Sequence, residues 1–502
     1  MSNSNIHLEN PCLQLAEVEQ SRSSGTLKGY PLRTVRPCRR PASQASGLGT
    51  QTDDRSAAPG WHRANPGRRH RARAAWAGLT FGMDELLIGQ SGRGPIRLSV
   101  ADRRLHAAVF GQTGTGKTTL LKSLILQDIE AGRGCMVLDP HGDLAEDLLE
   151  HIPRRRTDDV CYFDPANLAR AAALNPLAAV PPDERHRVTE EVVAVFAAIW
   201  GLSPAATPRL LHLLTNSIAA LLDLPNGASL VGLPRLLSDR PWREHVVKHV
   251  TKPQVRAFWE REFAAWPERQ QLEATAAVLN KAEMLVASPA LYNTLGQISP
   301  TIRPERLMDE SRVVIANLSK GRLGETSAHL LGALLLAAFD LAARRRAAVP
   351  EADRRDFVVY ADEFQAFAGE RVASVLSEAR KYRLALVLAA QFTAQMPEAV
   401  RAALFGNVGS VITFRVGPDD ADELGRLLGW APQTLRDLSR GEIIARTVAR
   451  GEPKDAVLGQ TTPVAAVRVG GAINIRSQSA QRYTRARYEV EARLLRWLDG
   501  TR

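Results

Sequence analysis

The chain has 502 residues, 45% apolar and 24% charged, which is enough for two or three domains with real cores. Its longest apolar runs, such as Leu330–Phe339, stop short of the roughly 18–20 residues a membrane span needs, and no segment has the pattern of a signal peptide. The formal net charge of +11 lies mostly in residues 1–80, which hold 12 Lys/Arg against 5 Asp/Glu, so charge alone is no argument that the rest binds nucleic acid.

Residues 1–80 are rich in Ser, Pro, Gly and Arg and lack periodicity, as in "NPGRRHRARAAW". They read as a disordered basic tail, or as a start placed too early with Met83 as the alternative, ahead of a basic arm on nucleic acid. From 81 to 182 the texture is that of an α/β core. "PIRLSV", "LHAAVFG", "GCMVLDP" and "DVCYFDP" are strand candidates, the last two each an apolar strand ending in Asp-Pro. Apolar strands alternating with helices predict a mostly parallel sheet with helices on both faces. Of the four cysteines, Cys12, Cys38, Cys135 and Cys161, none has metal-site spacing. Cys135 and Cys161 fall in strand-like runs and read as core residues in a reducing compartment.

Within this block, "AAVFGQTGTGKTTLLKSLIL" (107–126) places Gly111, Gln112, Thr113, Gly114, Thr115, Gly116, Lys117, Thr118 and Thr119 between an apolar strand and an amphipathic helix. That is the context a G-x-x-x-x-G-K-[ST] phosphate loop requires. The glycines let the backbone wrap a phosphate, and its N–H groups and the helix N-terminus face the anion. Lys117 is expected to reach the β- and γ-phosphates of ATP, and the Thr118 hydroxyl to hold Mg²⁺. Asp139 and His141 in "LDPHGDL" end the next strand, at the same sheet edge.

Residues 183–298 change character. "RVTEEVVAVFAAIW" puts Val188, Val192, Val195, Phe196 and Ile199 on one helical face, and three further segments are also helical. The block reads as an all-α domain inserted into the α/β core.

Residues 299–460 resume the core. "SRVVIANL" is a strand, Ser327–Arg346 a helix, and "DFVVYADEF" another strand. Asp362 at the end of that strand is expected to help hold Mg²⁺ beside the phosphate loop. Glu363 is expected to orient or deprotonate the attacking water. After the helix Ala373–Tyr382, "LALVLAAQ" ends in Gln391, whose amide can bond both phosphate and water. A strand with such a polar tip belongs between the phosphate-loop strand and the Asp-Glu strand. Before it stand Arg380, Lys381 and Arg383, and Arg380 is the candidate for a cation acting on a neighbouring subunit's phosphoryl group, with Arg401 and Arg415 as alternatives. "NVGSVITFRV" is one more strand. Residues 461–502 read as a tail with one short amphipathic helix marked by Val490, Leu494, Trp497 and Leu498. There is no Cys/His metal set, no Ser/His/Asp hydrolase pattern and no LSGGQ-type transporter signature.

With these residues in hand, the chain resembles the HerA/FtsK-like DNA-pumping ATPases with a RecA-like P-loop core, and among them the TraG/TraD coupling proteins of conjugation and type IV secretion. The resemblance runs from about Ile96 to Val416. It rests on "GQTGTGKTTLL", "LDPHGDL", "ANLSKGRLGE" and "YADEFQAFAGERVASVLSEARKYRLALVLAAQ". It implies a homohexamer with ATP sites between subunits and single- or double-stranded DNA in a central channel. It further implies Arg380 as the trans-acting arginine, Gln391 as the γ-phosphate sensor, and a TraM-recognition segment that docks relaxase or secretion-system partners. Two departures stand out: the membrane anchor usual in conjugative coupling proteins is missing, and residues 1–80 match no part of the family. The expectation is therefore a soluble, cytoplasmic member, held at the inner membrane only through partners. Its activity would be ATP-driven DNA translocation. The rivals are a nucleotide-gated docking scaffold for protein cargo and a HerA-like helicase in DNA end processing.

Overall fold

The computed structural model describes residues 84–367, 369, 371–462 and 468–499; the tail expected at 1–80 and the start at Met83 lie outside them. The strands in chain order are β1 (Glu85–Ser91), β2 (Gly94–Ser99), β3 (Ala107–Phe110), β4 (Gly134–Asp139), β5 (Val160–Phe163), β6 (Arg170–Ala172), β7 (Val313–Asn317) and β8 (Phe357–Ala361). They continue with β9 (Leu384–Ala390), β10 (Ser410–Thr413), β11 (Glu442–Arg446), β12 (Val448–Ala449), β13 (Glu452–Pro453), β14 (Val457–Thr461) and β15 (Thr484–Ala486). An 11-stranded sheet has the order β2-β1-β14-β11-β10-β3-β9-β8-β4-β7-β5. From β10 to β5 every neighbour pairs parallel, and from β10 outward to β2 every neighbour pairs antiparallel.

The parallel strands are buried along their whole length, as their unbroken apolar runs require. Their side chains alternate between two cores. Cys135, Val137, Val358 and Tyr360 face the phosphate-loop helix Lys117–Glu130 and the helix Asp143–Leu149. Met136, Leu138, Val359 and Ala361 face the other side. That second core runs without a break into the long helix Glu325–Arg345 and the inserted helices, including Val188, Val192, Val195 and Phe196 of Arg185–Trp200. Among the described residues the segment 183–298 is helical throughout, but it closes over one sheet face and shares its core. Helix Glu325–Ala348 is long and apolar enough to cross a membrane (mean hydropathy 1.5), yet 67% of its apolar window is buried inside the protein.

The last segment is more than a tail with one short helix. The helix Ala472–Tyr483 packs on β5, β15 pairs with β6, and the helix Arg487–Asp499 follows. Val490 and Leu494 are buried, and the Trp497 ring meets Trp242 of the inserted helices edge-on at 5.9 Å between centroids. Thr484–Ala486 is too short and polar to announce a strand by alternation; its pairing with Arg170–Ala172 is settled by tertiary contact.

Asp128 anchors the phosphate-loop helix. It is fully buried, accepting from Arg103 Nη1 at 2.7 Å, Tyr360 Oη at 2.6 Å and Arg133 Nε at 2.5 Å. Burial alone raises this carboxyl, but the two guanidiniums and the Tyr360 hydroxyl outweigh it and hold the group below the usual carboxylate range. Its stabilising effect is therefore complete above the unfolded-state value and is lost as pH falls from there through the folded one. Asp128→Ala strands the buried Arg103 guanidinium and is expected to cost about 3–5 kcal/mol, read as a lower denaturant midpoint at unchanged slope.

Candidate nucleotide site

The parallel strands β3, β4, β7, β8 and β9 present their C-terminal ends to one crevice, where an open α/β sheet binds ligands. β3 runs into the phosphate loop. Gly116 has φ 128°, and a Cβ on it would lie 3.0 Å from the Phe414 ring, so neither the turn nor the packing admits a side chain. Thr115 is buried and its hydroxyl donates to the Gln112 carbonyl at 2.7 Å, bracing the loop from within. Thr113, Gly114, Gly116, Lys117, Thr118 and Thr119 line a cavity of about 210 Å³, while Gly111, Gln112 and Thr115 are not among its lining residues.

Lys117 is buried and donates from Nζ to the carbonyls of Gly111 (2.6 Å) and Gln112 (3.1 Å). Burial lowers its pKa, against the pull of the Asp362 and Glu363 carboxylates. The Thr118 hydroxyl donates to Asp362 Oδ2 at 2.9 Å, joining the loop to the end of β8. Asp362 is itself buried, which raises its carboxyl, while the Thr118 bond works the other way. Two oxygen donors this close, one hydroxyl and one carboxylate, fit Mg²⁺, which keeps several waters and takes its remaining ligands from phosphate. Among the described residues no group of three or more His, Cys, Asp or Glu could hold a metal on its own. Cys135 and Cys161 are buried free thiols pushed well up by that burial, and they take no part.

Glu363 adopts a left-handed backbone, φ 44° and ψ 50°, which costs a non-glycine residue about 1–2 kcal/mol. Its Oε1 accepts from Gln391 Nε2 at 2.8 Å and lies 2.7 Å from His141 Nε2; its Oε2 accepts from Lys320 Nζ at 3.1 Å. Burial would raise this carboxyl, but the His141 and Lys320 contacts bring it below the usual range. Gln391 in turn accepts at Oε1 from the Thr113 hydroxyl at 3.0 Å, so it bridges the loop and Glu363. β9, which carries it, lies between β3 and β8. Asp139 accepts from the backbone N–H groups of His141 (2.9 Å) and Ala145 (2.8 Å), which fixes the loop that presents His141.

The structure thus brings Lys117, Thr118, Asp362, Glu363 and Gln391 together. Arg380 is not among them. It lies exposed in the 3-10 turn Ala379–Tyr382, before β9, whereas Gln391 follows that strand. The 7 residues of β9 span roughly 23 Å at about 3.3 Å each, so Arg380 does not reach its own chain's loop. Arg415 is exposed beside the loop, its carbonyl accepting from Gln112 N at 2.8 Å, and Arg401 has Glu423 at 3.8 Å. Two cations escape a reading of the sequence. Lys320 sits in "ANLSKGRLGE", a segment that carries the family resemblance, but no role for its lysine follows from the sequence. Arg440 lines the cavity because Gly441 N donates to the Thr115 carbonyl at 3.0 Å, docking that turn on the phosphate loop.

A family model described as the central domain of the helicase HerA matches residues 86–337, half of the chain. No curated protein sequence matches it. Among solved structures, the bacterial conjugative coupling protein TrwB lacking its first 70 residues aligns at 13% identity with a TM-score of 0.55, over 80% of this chain and 94% of that one. The plasmid coupling protein TrwB in complex with ADP and Mg²⁺ aligns at 15% identity and a TM-score of 0.50, over 74% and 88%. VirB4 of Thermoanaerobacter pseudethanolicus aligns at 14% identity and a TM-score of 0.52, over 77% and 99%. At these identities the structural likeness shows the fold, a RecA-like P-loop ATPase core.

Proposed function

The chain belongs to the family of the helicase HerA central domain, and from that premise we propose that it is a DNA-translocating motor that hydrolyses ATP in a ring of identical subunits. The observation that carries the reading is the Glu363–Gln391–Thr113 chain of hydrogen bonds, which ties a carboxylate and a polar strand tip to the phosphate loop. TrwB has been solved with ADP and Mg²⁺ and with analogues of both ATP and GTP, which supports a purine nucleotide and Mg²⁺ as the ligands here, and ATP is the one we propose.

In this reading the loop N–H groups and Lys117 grip the β- and γ-phosphates, with Lys117 exchanging its carbonyl partners for phosphate oxygens. Thr118 and Asp362 would hold Mg²⁺, whose charge would offset that of the phosphates. Glu363 takes the proton of the attacking water, and Gln391 orients that water against the γ-phosphate. Arg380, too far from its own loop, serves the site of the next subunit and stabilises charge on the transferring phosphoryl group. Single- or double-stranded DNA would pass through the ring by backbone contacts, sequence-independent and salt-sensitive. Relaxase or secretion-system proteins are the partners this function calls for, and a cytoplasmic place beside the inner membrane follows from them.

The test is the ATPase rate with and without single- and double-stranded DNA, with Lys117→Ala as the blank. Stimulation by DNA, falling as salt rises, is the expected result. A rate indifferent to both kinds of DNA would overturn the motor, and stimulation by a protein partner instead would point to a docking scaffold.

A further inference from the structure

Three groups converge on the Glu363 carboxylate, and one of them stands outside the nucleotide cavity. Gln391 and His141 line that cavity and meet Oε1; Lys320 is not among its lining residues and meets the other oxygen, Oε2, at 3.1 Å. Only 12% of the Glu363 side chain is exposed, so the ion pair is largely shielded from solvent.

Lys320 is held by a built platform. It follows β7, while His141 follows the neighbouring β4, and the two loops are laced together. Leu318 N donates to the Asp139 carbonyl and Lys320 N to the Pro140 carbonyl, both at 2.9 Å. Asn317 Oδ1 accepts from Ser319 N at 3.3 Å, and its Nδ2 donates to Tyr162 Oη at 3.0 Å. The loops approach so closely that a Cβ on Gly142, at φ 92°, would lie 2.8 Å from Asn317 Oδ1. These bonds fix the base of the Lys320 side chain against the loop after β4, and its contact with Glu363 then settles where the ammonium lies.

We propose that Lys320 is a positioning residue for hydrolysis: it fixes the Glu363 carboxylate beside Gln391 and the phosphate loop, in the orientation from which the carboxylate takes a proton from the attacking water. This rests on the reading of Glu363 as the group that takes that proton. Lys320 acts through Glu363, from outside the set of residues that line the cavity. A misplaced reacting group costs on the order of 100-fold for about 1 Å of drift, so the effect belongs in kcat.

The experiment compares Lys320→Met and Lys320→Arg with the unaltered chain, in the presence of DNA. Lys320→Met is expected to lower kcat by roughly 10–100-fold while leaving the affinity for a non-hydrolysable ATP analogue unchanged. Lys320→Arg, which keeps the charge and reaches the same carboxylate, recovers most of that loss. In a Glu363→Gln background, single-turnover hydrolysis falls no further when Lys320→Met is added. Unchanged kcat in Lys320→Met, a matching loss of analogue affinity, or an additive loss on top of Glu363→Gln would each overturn the proposal. If Glu363→Gln itself keeps full turnover, the reading of Glu363 fails first. If it stalls while Lys320→Met does not, only the assignment of Lys320 fails.

Discussion

Glu363→Gln is expected to bind ATP as tightly as the unaltered chain and to hydrolyse it about 10²–10⁴ times more slowly, the range over which a positioned general base contributes. The amide has the size of the carboxylate and can keep one contact to Gln391, so the site's shape survives. What it loses is the capacity to accept a proton and the charge that pairs with Lys320. The Lys117 and Thr118 contacts are untouched, which is why binding persists. Equilibrium titration with ATP followed by phosphate release in a single turnover separates the two quantities. Normal turnover would remove Glu363 from the chemistry and leave its left-handed backbone without a catalytic rationale.

Arg380→Ala is expected to cost about 10³–10⁵ in turnover, as for other arginines supplied in trans to a transferring phosphoryl group. The more telling experiment mixes this variant with unaltered subunits. Because Arg380 and Gln391 lie at opposite ends of β9, each subunit would lend its arginine to one neighbour and borrow from the other. Activity of the mixture should then fall more steeply than the fraction of unaltered chain. A loss in strict proportion would mean that Arg380 serves no neighbour. The cations beside the loop, Arg440 and Arg415, would then be the next to test.

The parallel half of the fold was legible because its strands are apolar on both faces and four of them lead into a telling residue: Gly111, Asp139, Asp362 or Gln391. Even the place of β9, between the phosphate loop and the Asp-Glu strand, follows from its polar tip. Of the antiparallel half only β2, within "PIRLSV", was legible. β1, β11 and β14 are as long as the parallel strands but mix polar and charged residues with apolar ones, so they lack both the unbroken run and the clean alternation that mark strands. The role of Lys320 was hidden for a different reason. It is 43 residues from Glu363, and their meeting depends on β7 and β8 both flanking β4, a fact of sheet order rather than of spacing. The expectation of a C-terminal tail failed similarly: Arg487–Asp499 was recognisable as a helix, but nothing in it says what it covers.

What it covers has a consequence for how the molecule is made. A Cβ on Gly232 would lie 2.7 Å from the Trp497 ring, and one on Gly296 would lie 2.8 Å from Leu494, so these late residues are seated tightly on helices translated some two hundred positions earlier. Arg485 adds bonds to Gln297 Oε1 (2.7 Å) and the Ser299 carbonyl (2.8 Å). During synthesis the inserted helices therefore emerge from the ribosome with this face bare and stay so until almost all of the described sequence has followed. Ribosome-bound nascent chains stalled after residue 460 should expose that face to proteases and chaperones, and those extended past residue 499 by a spacer long enough to carry the last helix out of the exit tunnel should not.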